Sequence, residues 1–558
     1  MNNDKLLKQE STPVDSMKGR AVFEARTFPR RQVLTGLVGA TALGLAGCGP
    51  SNTGTTEPIR TGPAALPAYV PYEGVTPDVP GTPDGVPPLF RSYPNPPVVR
   101  DGFPLPKGAP FTALFQGSAS NVSLADNKNF TFVAEQAGAT FDYVGGGYGS
   151  DYVAKLQVAM AGGDIPDLCM IVSVAELPKL LAKHFTDLTD VLAGDGIKKY
   201  PALANIPTET WKTSSVNGRI YGFPKPLVTA GWVVNARSDV MAERGFSDPN
   251  VKLRDGAEFV DMLKQLTNRD KNQFALGEHP VDRLMFIMKQ MCGAPTGWKN
   301  ENGTFVHEIM TEEMKEALAR CGEIVRAGYV HPEAFTSSQR YPWFVSGVTA
   351  LYFQDFGAWG DTARNNPEWK VGNIEIPKWD GGGIAPIRKT AAGYYAYVAI
   401  KKSDDARLEQ MLRFIDYCAS PYGTQQFLDI TYGIEDYSYR MIDGTPQKIA
   451  DSPNLPQFIY AGGNHRMVLF GQDAESLAAQ REYAAKVIPT GVSNASVGLY
   501  SETAATKEPT MAKSLSDIQR QVLLGEKPMS AWDEFVTTWR SKVGDAMAAE
   551  YAESAAQQ

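Results

Sequence analysis

Residues 217–224 read Asn217-Gly218-Arg219-Ile220-Tyr221-Gly222-Phe223-Pro224, and a second stretch follows as Val234-Asn235-Ala236-Arg237-Ser238-Asp239. Polar turn residues here lead into a short aromatic segment that ends at a proline, a pattern typical of a strand between turns. Short apolar strands alternate with amphipathic helices before this stretch, and a second block of the same kind begins after it. Strands that alternate with helices predict an α/β fold with largely parallel sheets.

The periodicity of apolar residues places the main elements on either side. The strand candidates are short apolar runs at 111–116, 140–144, 168–172, 231–235, 349–353 and 395–400. A helix is predicted over 312–327, because Thr311 is an acceptable N-cap and the apolar residues after it fall on one helical face. Helices are also predicted over 405–418 and over 151–161, the latter ending at Gly162-Gly163.

Length and composition exclude one broad class of function. The chain has 558 residues, enough for two sizeable cores, and its 43% apolar and 21% charged residues are typical of a globular protein. Its formal net charge is -8. A nucleic-acid binder needs a basic surface to neutralise phosphates, so we expect no nucleic-acid partner.

The first 48 residues carry the strongest local signal. Arg30 and Arg31 precede an uncharged run, 32–47, which is shorter than the ~20 apolar residues that span a bilayer and is typical of an export signal. The paired arginines resemble a twin-arginine signal, although Pro29 stands where that signal usually has a hydroxyl residue, so the twin-arginine and general export routes both stay open. Leu45-Ala46-Gly47-Cys48 resembles a bacterial lipobox, which implies a diacylated Cys48.

These features predict a signal peptide over 1–47 and an exported protein that its lipid anchors to the outer face of the bacterial cytoplasmic membrane. Residues 49–110 are dense in Pro, Gly and Thr and show no helical or strand period. Such composition is typical of a semi-extended spacer, so we predict a tether over 48–108.

Four further cysteines are Cys169, Cys292, Cys321 and Cys418. Outside the cytosol they could form two disulfides in any of three pairings. Their apolar surroundings are equally compatible with free buried thiols. Both interpretations stay open from the sequence.

Several motifs, taken in order, resemble one family. They are Gly163-Asp164-Ile165-Pro166-Asp167, the two stretches quoted first, Gly328-Tyr329-Val330-His331-Pro332-Glu333, Ala350-Leu351-Tyr352, Gly357-Ala358-Trp359, Phe414-Ile415-Asp416-Tyr417-Cys418-Ala419-Ser420, Leu524-Gly525-Glu526 and Trp532-Asp533-Glu534-Phe535. Over about 110–550 the chain resembles the extracellular solute-binding proteins of carbohydrate ABC importers, above all the longer branch that takes up plant- or alginate-type oligosaccharides.

The resemblance implies the two-lobe periplasmic-binding-protein fold of type II, with the ligand in a cleft between α/β lobes. It implies an N-terminal lobe from 109–226 and 377–430 and a C-terminal lobe from 227–376 and 431–558. The chain would cross between the lobes near 224–230, near 374–379 and near 425–435.

The same resemblance implies that Trp359 is a stacking platform, because the C–H-rich face of a pyranose packs on a flat apolar ring. The other aromatic candidates are Trp232, Trp343, Trp379, Tyr394 and Tyr395. Asp355 and Arg237 are candidates for hydrogen bonds to hydroxyls. Ser173 and Glu176 follow the strand 168–172, and open α/β sheets place ligands at the carboxyl ends of their strands.

Metal and enzyme signatures are weak or missing in the sequence. The oligosaccharide branch often has a calcium loop, but the matching stretch 268–275 lacks the downstream glycine and acidic ligands that calcium needs, so we predict no metal site and no cofactor. The sequence has no Walker A loop, no HExxH and no GxSxG motif. We therefore expect a binding protein and not an enzyme.

The expected function is capture of a sugar or oligosaccharide by hinge closure and delivery to the permease subunits of an ABC importer, by a monomer. One alternative is a surface-anchored polysaccharide hydrolase or lyase, which would share the signal, the aromatics and the acidity. The other is a binder of a non-sugar solute, whose cleft would present charged groups rather than stacked aromatics.

Overall fold

The computed structural model describes residues 65–116, 126–147, 150–226, 228–337, 339–389, 394–449, 452, 467–471 and 473–556. The expected signal peptide and Cys48 lie outside these residues. No helix among the described residues is long and apolar enough to cross a membrane.

In the part of the chain that the structure describes, nine strands build two sheets. They are β1 (Phe111–Phe115), β2 (Phe141–Gly145), β3 (Leu168–Ile171), β4 (Phe223–Pro226), β5 (Trp232–Arg237), β6 (Phe274–Leu276), β7 (Thr349–Asp355), β8 (Val371–Ile374) and β9 (Tyr394–Ile400). The first sheet has the order β2-β1-β3-β9-β4 and the second the order β8-β5-β7-β6. The six strands predicted from the sequence are confirmed. Three hairpins stand beside the sheets: Ser215–Val216 with Arg219–Ile220, Trp298–Glu301 with Thr304–His307, and Tyr439–Ile442 with Thr445–Lys448.

The expectation of largely parallel sheets is only half right. β1 runs parallel to β2 and β3, and β6 runs parallel to β7. β9 and β5 run antiparallel to both of their neighbours. The reason is topological. These two strands enter their sheets directly from the other lobe, so they begin at the edge where the neighbouring strands end.

Helices cover the faces of both sheets. Those labelled here are α1 (Lys128–Ala137), α2 (Ser150–Gly162), α3 (Leu177–His184), α4 (Gly256–Gln265), α5 (Met285–Met291), α6 (Glu312–Arg326), α7 (Arg340–Val345), α8 (Phe356–Asn365), α9 (Asp405–Cys418), α10 (Gln425–Thr431), α11 (Ala474–Val487), α12 (Glu508–Leu523), α13 (Met529–Trp539) and α14 (Asp545–Ala556). Short helices span Thr189–Leu192, Pro201–Ala204, Ser238–Glu243 and Glu502–Thr506. The helices predicted over 151–161, 312–327 and 405–418 are confirmed.

Separate apolar cores define two lobes. One core surrounds the first sheet, and two others cover the two faces of the second sheet. Ile376 and Ala385 pack in the core of the second lobe, and Ile387 packs on its other face. The chain therefore returns to the first lobe between residue 387 and β9. This is later than the expected 374–379, because the turn after β8 still buries its apolar residues in the second lobe.

The predicted tether needs a larger correction. Residues 65–105, here called the N-terminal strap, form no helix and only isolated bridges, yet they pack on the body of the protein. Their apolar side chains are buried at Val86, Leu89, Phe90, Tyr93 and Leu105. Proline and glycine prevent regular elements here, but they do not prevent burial of the apolar residues between them. The described part of the stretch is therefore not a free spacer.

The cysteines of the described residues are all free thiols. Cys169, Cys321 and Cys418 are buried and Cys292 is half-buried. Burial raises the pKa of the Cys169 thiol to about 12 and that of Cys292 to about 12 as well. Thiols with such high pKa values are unreactive at neutral pH, so they contribute to packing and not to chemistry.

Candidate functional site

Two of the predicted site residues meet where the chain enters the second sheet. β4 ends at Pro226 and β5 begins at Trp232, so the first crossing is only a few residues long. Trp232 pairs with Asp355, the last residue of the antiparallel strand β7. Both therefore lie at the edge of the second sheet that faces the crossing, which we call the hinge edge. The Asp355 carboxylate also caps α8, where it accepts a hydrogen bond from the Ala358 N–H at 3.3 Å.

An arginine and a phenylalanine that sequence reasoning missed pack on Trp232. The Phe286 ring stacks on it, with centroids 5.1 Å apart and planes 30° apart. The Arg283 guanidinium carbon lies 4.3 Å from the Trp232 ring centroid. Such an arrangement is a cation–π contact. Trp232 itself is only half-buried, so part of its surface stays accessible.

Arg283 has no close polar partner among the described residues. Its ion pairs to Glu278 and Asp282 are long, at 3.9 Å and 3.8 Å. Its Nη1 atom is shielded from water and has no hydrogen-bond partner in the described part of the chain. Burial, and then the charge of Arg340, lower the pKa of Arg283. A guanidinium N–H without an acceptor is costly, and the Arg283 side chain as a whole is 22% exposed, so a small rotation of this side chain would let the group bind an acceptor from outside.

The buried carboxylate of Glu278 lies between the two arginines, Arg283 and Arg340, and binds Arg340 directly. Its side chain is 1% exposed, and it accepts hydrogen bonds from the Phe353 N–H at 2.8 Å and from Arg340 at 3.3 Å. Arg340 also donates to the Phe353 carbonyl at 2.9 Å. Glu278 lies just beyond the end of β6, so its carboxylate takes the backbone donor that a longer β6 would have satisfied. Burial raises the pKa of Glu278 to about 7, against the opposing charges of Arg340 and Arg283.

Tyrosines continue the surface beside Arg340. Its guanidinium carbon lies 4.7 Å from the ring of Tyr352, and the 40% exposed Tyr341 packs on the same ring at 5.4 Å. Gln354 donates to the Tyr352 hydroxyl at 3.1 Å. The hinge-edge cluster thus combines aromatic faces, guanidinium donors and carboxylate or amide acceptors in one patch. Its members are Trp232, Glu278, Arg283, Phe286, Arg340, Tyr341, Tyr352, Gln354 and Asp355.

Trp359 is not the exposed platform that the resemblance implied. It is 1% exposed, and its indole N–H donates to the Val371 carbonyl at 2.9 Å. Tyr483 and Phe356 pack against it, each at 6.1 Å. The correction has a simple cause. Helix α11 covers this face of the second sheet and brings Tyr483 onto the indole, so Trp359 belongs to the core.

Arg237 is also structural. It is 8% exposed, pairs with Asp239 at 2.6 Å and donates to the Phe344 carbonyl at 3.1 Å. It ends β5, five residues after Trp232, so it lies roughly 17 Å from the hinge edge along the strand. Arg237 therefore does not lie beside Asp355, and its expected hydrogen bond to a ligand hydroxyl stays a prediction.

Two further tryptophans have packing partners of their own. Trp343 stacks on His331, with ring centroids 3.8 Å apart and planes 26° apart. Trp379 lies under the guanidinium of Arg320 at 5.1 Å, in a shallow surface groove that Asp255 and Asp380 also line. The side chains of Tyr394 and Tyr395 lie outside the described residues, so their predicted role stays a prediction.

Ser173 and Glu176 lie at the junction of the lobes. Ser173 is exposed after β3, and Glu176 has a left-handed backbone with φ 54° at the start of α3. The Glu176 N–H donates to the Glu502 carboxylate at 3.2 Å. Glu502 follows a segment that Asn494 ties to the second lobe through the Trp298 N–H at 3.1 Å. The carboxyl end of β3 therefore faces a part of the other lobe.

The stretch matched to a calcium loop forms a turn. Asn268 accepts a hydrogen bond from the Lys271 N–H at 3.3 Å, and its backbone pairs with Gln273. Within the described ranges, no group of three or more His, Cys, Asp or Glu side chains is arranged to hold a metal ion.

A signal for the missed residues was present in the sequence. Glu278, Asp282 and Arg283 follow a short apolar run, as Ser173 and Glu176 follow β3. Positions at the carboxyl ends of strands were therefore the right place to look. The strand itself, Phe274–Leu276, is only 3 residues long, and this is why its apolar pattern did not stand out.

Comparisons with known proteins bear on the family and the fold of this chain. Residues 129–439 match the family model of the bacterial extracellular solute-binding proteins. A polygalacturonan/rhamnogalacturonan-binding protein of Bacillus subtilis is 23% identical over 72% of this chain and 82% of its own length. The lipoprotein LipO of the same organism is 21% identical over 71% of this chain and 82% of its own length.

Among solved structures, the N-glycan transport solute-binding protein of Streptococcus pneumoniae superposes with a TM-score of 0.57 at 16% identity, over 79% of this chain and 98% of that one. This likeness shows the two-lobed, type II binding-protein fold that the sequence predicted. Since the family model covers more than half of the chain, the protein belongs to the bacterial extracellular solute-binding proteins.

Proposed function

We propose that this protein captures a sugar or oligosaccharide between its two lobes and delivers it to the permease of an ABC importer. The lobes close on the ligand by hinge motion, which is a general behaviour of two-lobed binders. The Cys48 motif supports a lipid anchor that keeps the binder near its membrane partner and raises the effective concentration.

The observation that carries the proposal is the pairing of Arg283 with Trp232 at the hinge edge. A pyranose presents C–H-rich faces and a belt of hydroxyls, and some sugars add a carboxylate. Accessible aromatic surface suits the faces, while the unsatisfied guanidinium N–H suits a hydroxyl or carboxylate oxygen. The B. subtilis relative that binds polygalacturonan and rhamnogalacturonan supports a saccharide ligand.

The first test is thermal unfolding of the protein against neutral and uronic-acid oligosaccharides. A ligand that binds only the folded state raises Tm by mass action. We expect one glycan class to raise Tm and to be recovered uncleaved. Cleaved glycan would favour the hydrolase or lyase alternative. If none of the glycans raises Tm while peptides or small charged solutes do, the saccharide proposal is wrong.

The second test places the site. Arg283→Met should weaken binding of that glycan by about tenfold or more, because a hydrogen bond to a charged group contributes roughly 1.5–3 kcal/mol. Arg407→Met is a matched control. Arg407 is 20% exposed and lies 4.3 Å from the Phe111 ring, against 22% and 4.3 Å for Arg283. It lies at the amino end of β1, away from the hinge edge, so its replacement should leave the affinity unchanged.

Equal affinity of the two variants would remove the hinge edge from the binding site. Saccharide capture would still stand if the parent protein bound the glycan. The two tests therefore separate the kind of ligand from its location.

A further inference from the structure

The N-terminal strap touches the first lobe at both of its ends. Near its start, the Val70 N–H donates to the Ala204 carbonyl at 2.8 Å, and the Ala68 N–H donates to the Gly194 carbonyl at 3.0 Å. Near its end, the Leu105 N–H donates to the Ala137 carbonyl at 2.9 Å, and Leu105 is part of the first-lobe core.

A buried charge pair strengthens the second of these attachments. Arg100 is 7% exposed and binds the carboxylate of Asp416, which is 4% exposed. Asp416 also accepts the Ala202 N–H at 2.8 Å. Breaking a buried, hydrogen-bonded pair of this kind is costly, so this end of the strap is firmly held.

Between its ends the strap lies on the second lobe. Val86 and Leu89 are 3% and 5% exposed, in one core with Val233 and Tyr352 of the second sheet. Arg481 of α11 donates to the Pro80 carbonyl at 2.8 Å. The strap therefore passes from the first lobe to the second and back again.

The strap also packs on the segments by which the chain itself changes lobes. Val86 and Leu89 share their core with Val228 and Ala230 of the first crossing and with Ile387, just before the return. Leu89 forms a bridge with Leu469, where the Phe90 N–H donates to the Leu469 carbonyl at 2.8 Å.

Two glycines show how closely the body of the protein fits the strap. Gly423 has φ +95°, and a Cβ atom there would lie 2.4 Å from a methyl of Val75. Gly138 has φ +71°, and a Cβ atom there would lie 2.2 Å from the Leu105 carbonyl oxygen. Both distances are far below van der Waals contact, so any side chain at these positions would displace the strap.

We propose that the N-terminal strap is a hinge brace that limits how far the two lobes separate. Lobes joined by crossings alone rotate about a few residues, whereas here each rotation must also stretch or detach a segment fixed on both lobes. The strap lies before residue 129, where the family match begins. The proposal does not depend on the identity of the ligand.

The test measures the distance between the lobes in the unliganded full chain. Spin labels are placed at Val158→Cys on α2, which is 72% exposed, and at Glu313→Cys on α6, in a background with Cys48 and Cys292 replaced by Ser. Leu89→Ala removes the central anchor of the strap on the second lobe. We expect a broader distance distribution with a mean shifted outward by roughly 3 Å or more.

Leu477→Ala is the matched control, because Leu477 is 2% exposed in the same core but belongs to α11. It should lose similar stability and keep the parent distribution. The smaller deletion Val86→Ala should broaden the distribution less than Leu89→Ala. An unchanged distribution in folded Leu89→Ala would overturn the brace, and so would equal broadening in Leu477→Ala.

Discussion

At the scale of single residues, Glu278 gives the protein a specific pH dependence. Burial raises its pKa from 4.5 to about 7, so the folded protein binds this proton more tightly than the unfolded chain does. The contribution of Glu278 to the free energy of unfolding is therefore complete below about pH 4.5 and is lost as the pH rises toward 7. The loss amounts to roughly 3 kcal/mol at most.

Glu278→Gln should remove this part of the slope, measured by denaturant unfolding across a pH series. Its stability should change less than that of the parent between pH 4.5 and 7. Glu475→Gln, at an exposed carboxylate on α11, should keep the parent slope. A parallel pH profile for the parent and Glu278→Gln would contradict a raised pKa at this position.

The sequence predicted which kinds of residue lie at the candidate site better than it predicted which individual residues lie there. The structure places Trp232 half-exposed at the hinge edge, so its expected role in binding stays a prediction. The same expectation fails for Trp359, because what covers it is Tyr483, more than a hundred residues later in the chain. The burial of this ring is set by a partner that is distant in the sequence, so the residues next to Trp359 do not reveal it.

At the scale of elements, Thr311 is a measurable determinant of α6. Its hydroxyl accepts the Met314 N–H at 3.3 Å and donates to the Glu308 carbonyl at 2.8 Å. Thr311→Ala should lower the free energy of unfolding by about 1 kcal/mol, since a helix N-terminus loses its cap. Thr311→Ser keeps the hydroxyl and should recover most of that loss in chemical denaturation. Equal losses for Ala and Ser would assign the effect to the lost methyl group instead.

Elements with a strong period were predictable, and the strap was not. Helix α6 repeats Met314, Leu318 and Cys321 on one face, and all three are buried. The apolar residues of the strap show no regular spacing, because its prolines and glycines impose turns. These residues pack in three different apolar cores. A segment of this kind looks like a spacer in sequence, although its burial resembles that of a core element.

At the scale of the whole molecule, the two lobes meet a second time at Glu502. Helix α3 begins at Glu176, whose own side chain makes no capping hydrogen bond. The Glu176 N–H instead binds the carboxylate of Glu502, on the segment that Asn494 ties to the other lobe. A carboxylate at a helix N-terminus is favourable by about 0.3–1 kcal/mol at an exposed site. This contact therefore couples the first turn of α3 to the position of the second lobe.

Glu502→Ala should accelerate amide hydrogen exchange at Glu176 by up to about fivefold, because an N–H that loses a contact of at most about 1 kcal/mol opens that much more often. The segment 494–502 should exchange faster in the same variant, since it loses its partner on the first lobe. Glu534→Ala, at an exposed position on α13, should change neither region. Faster exchange in 494–502 with an unchanged Glu176 amide would mean that the segment is held by the second lobe alone.

A ligand that closes the cleft should slow exchange at the Glu176 amide in the parent. The ligand should have a smaller effect in Glu502→Ala, because only the parent has the carboxylate that binds this amide when the lobes approach.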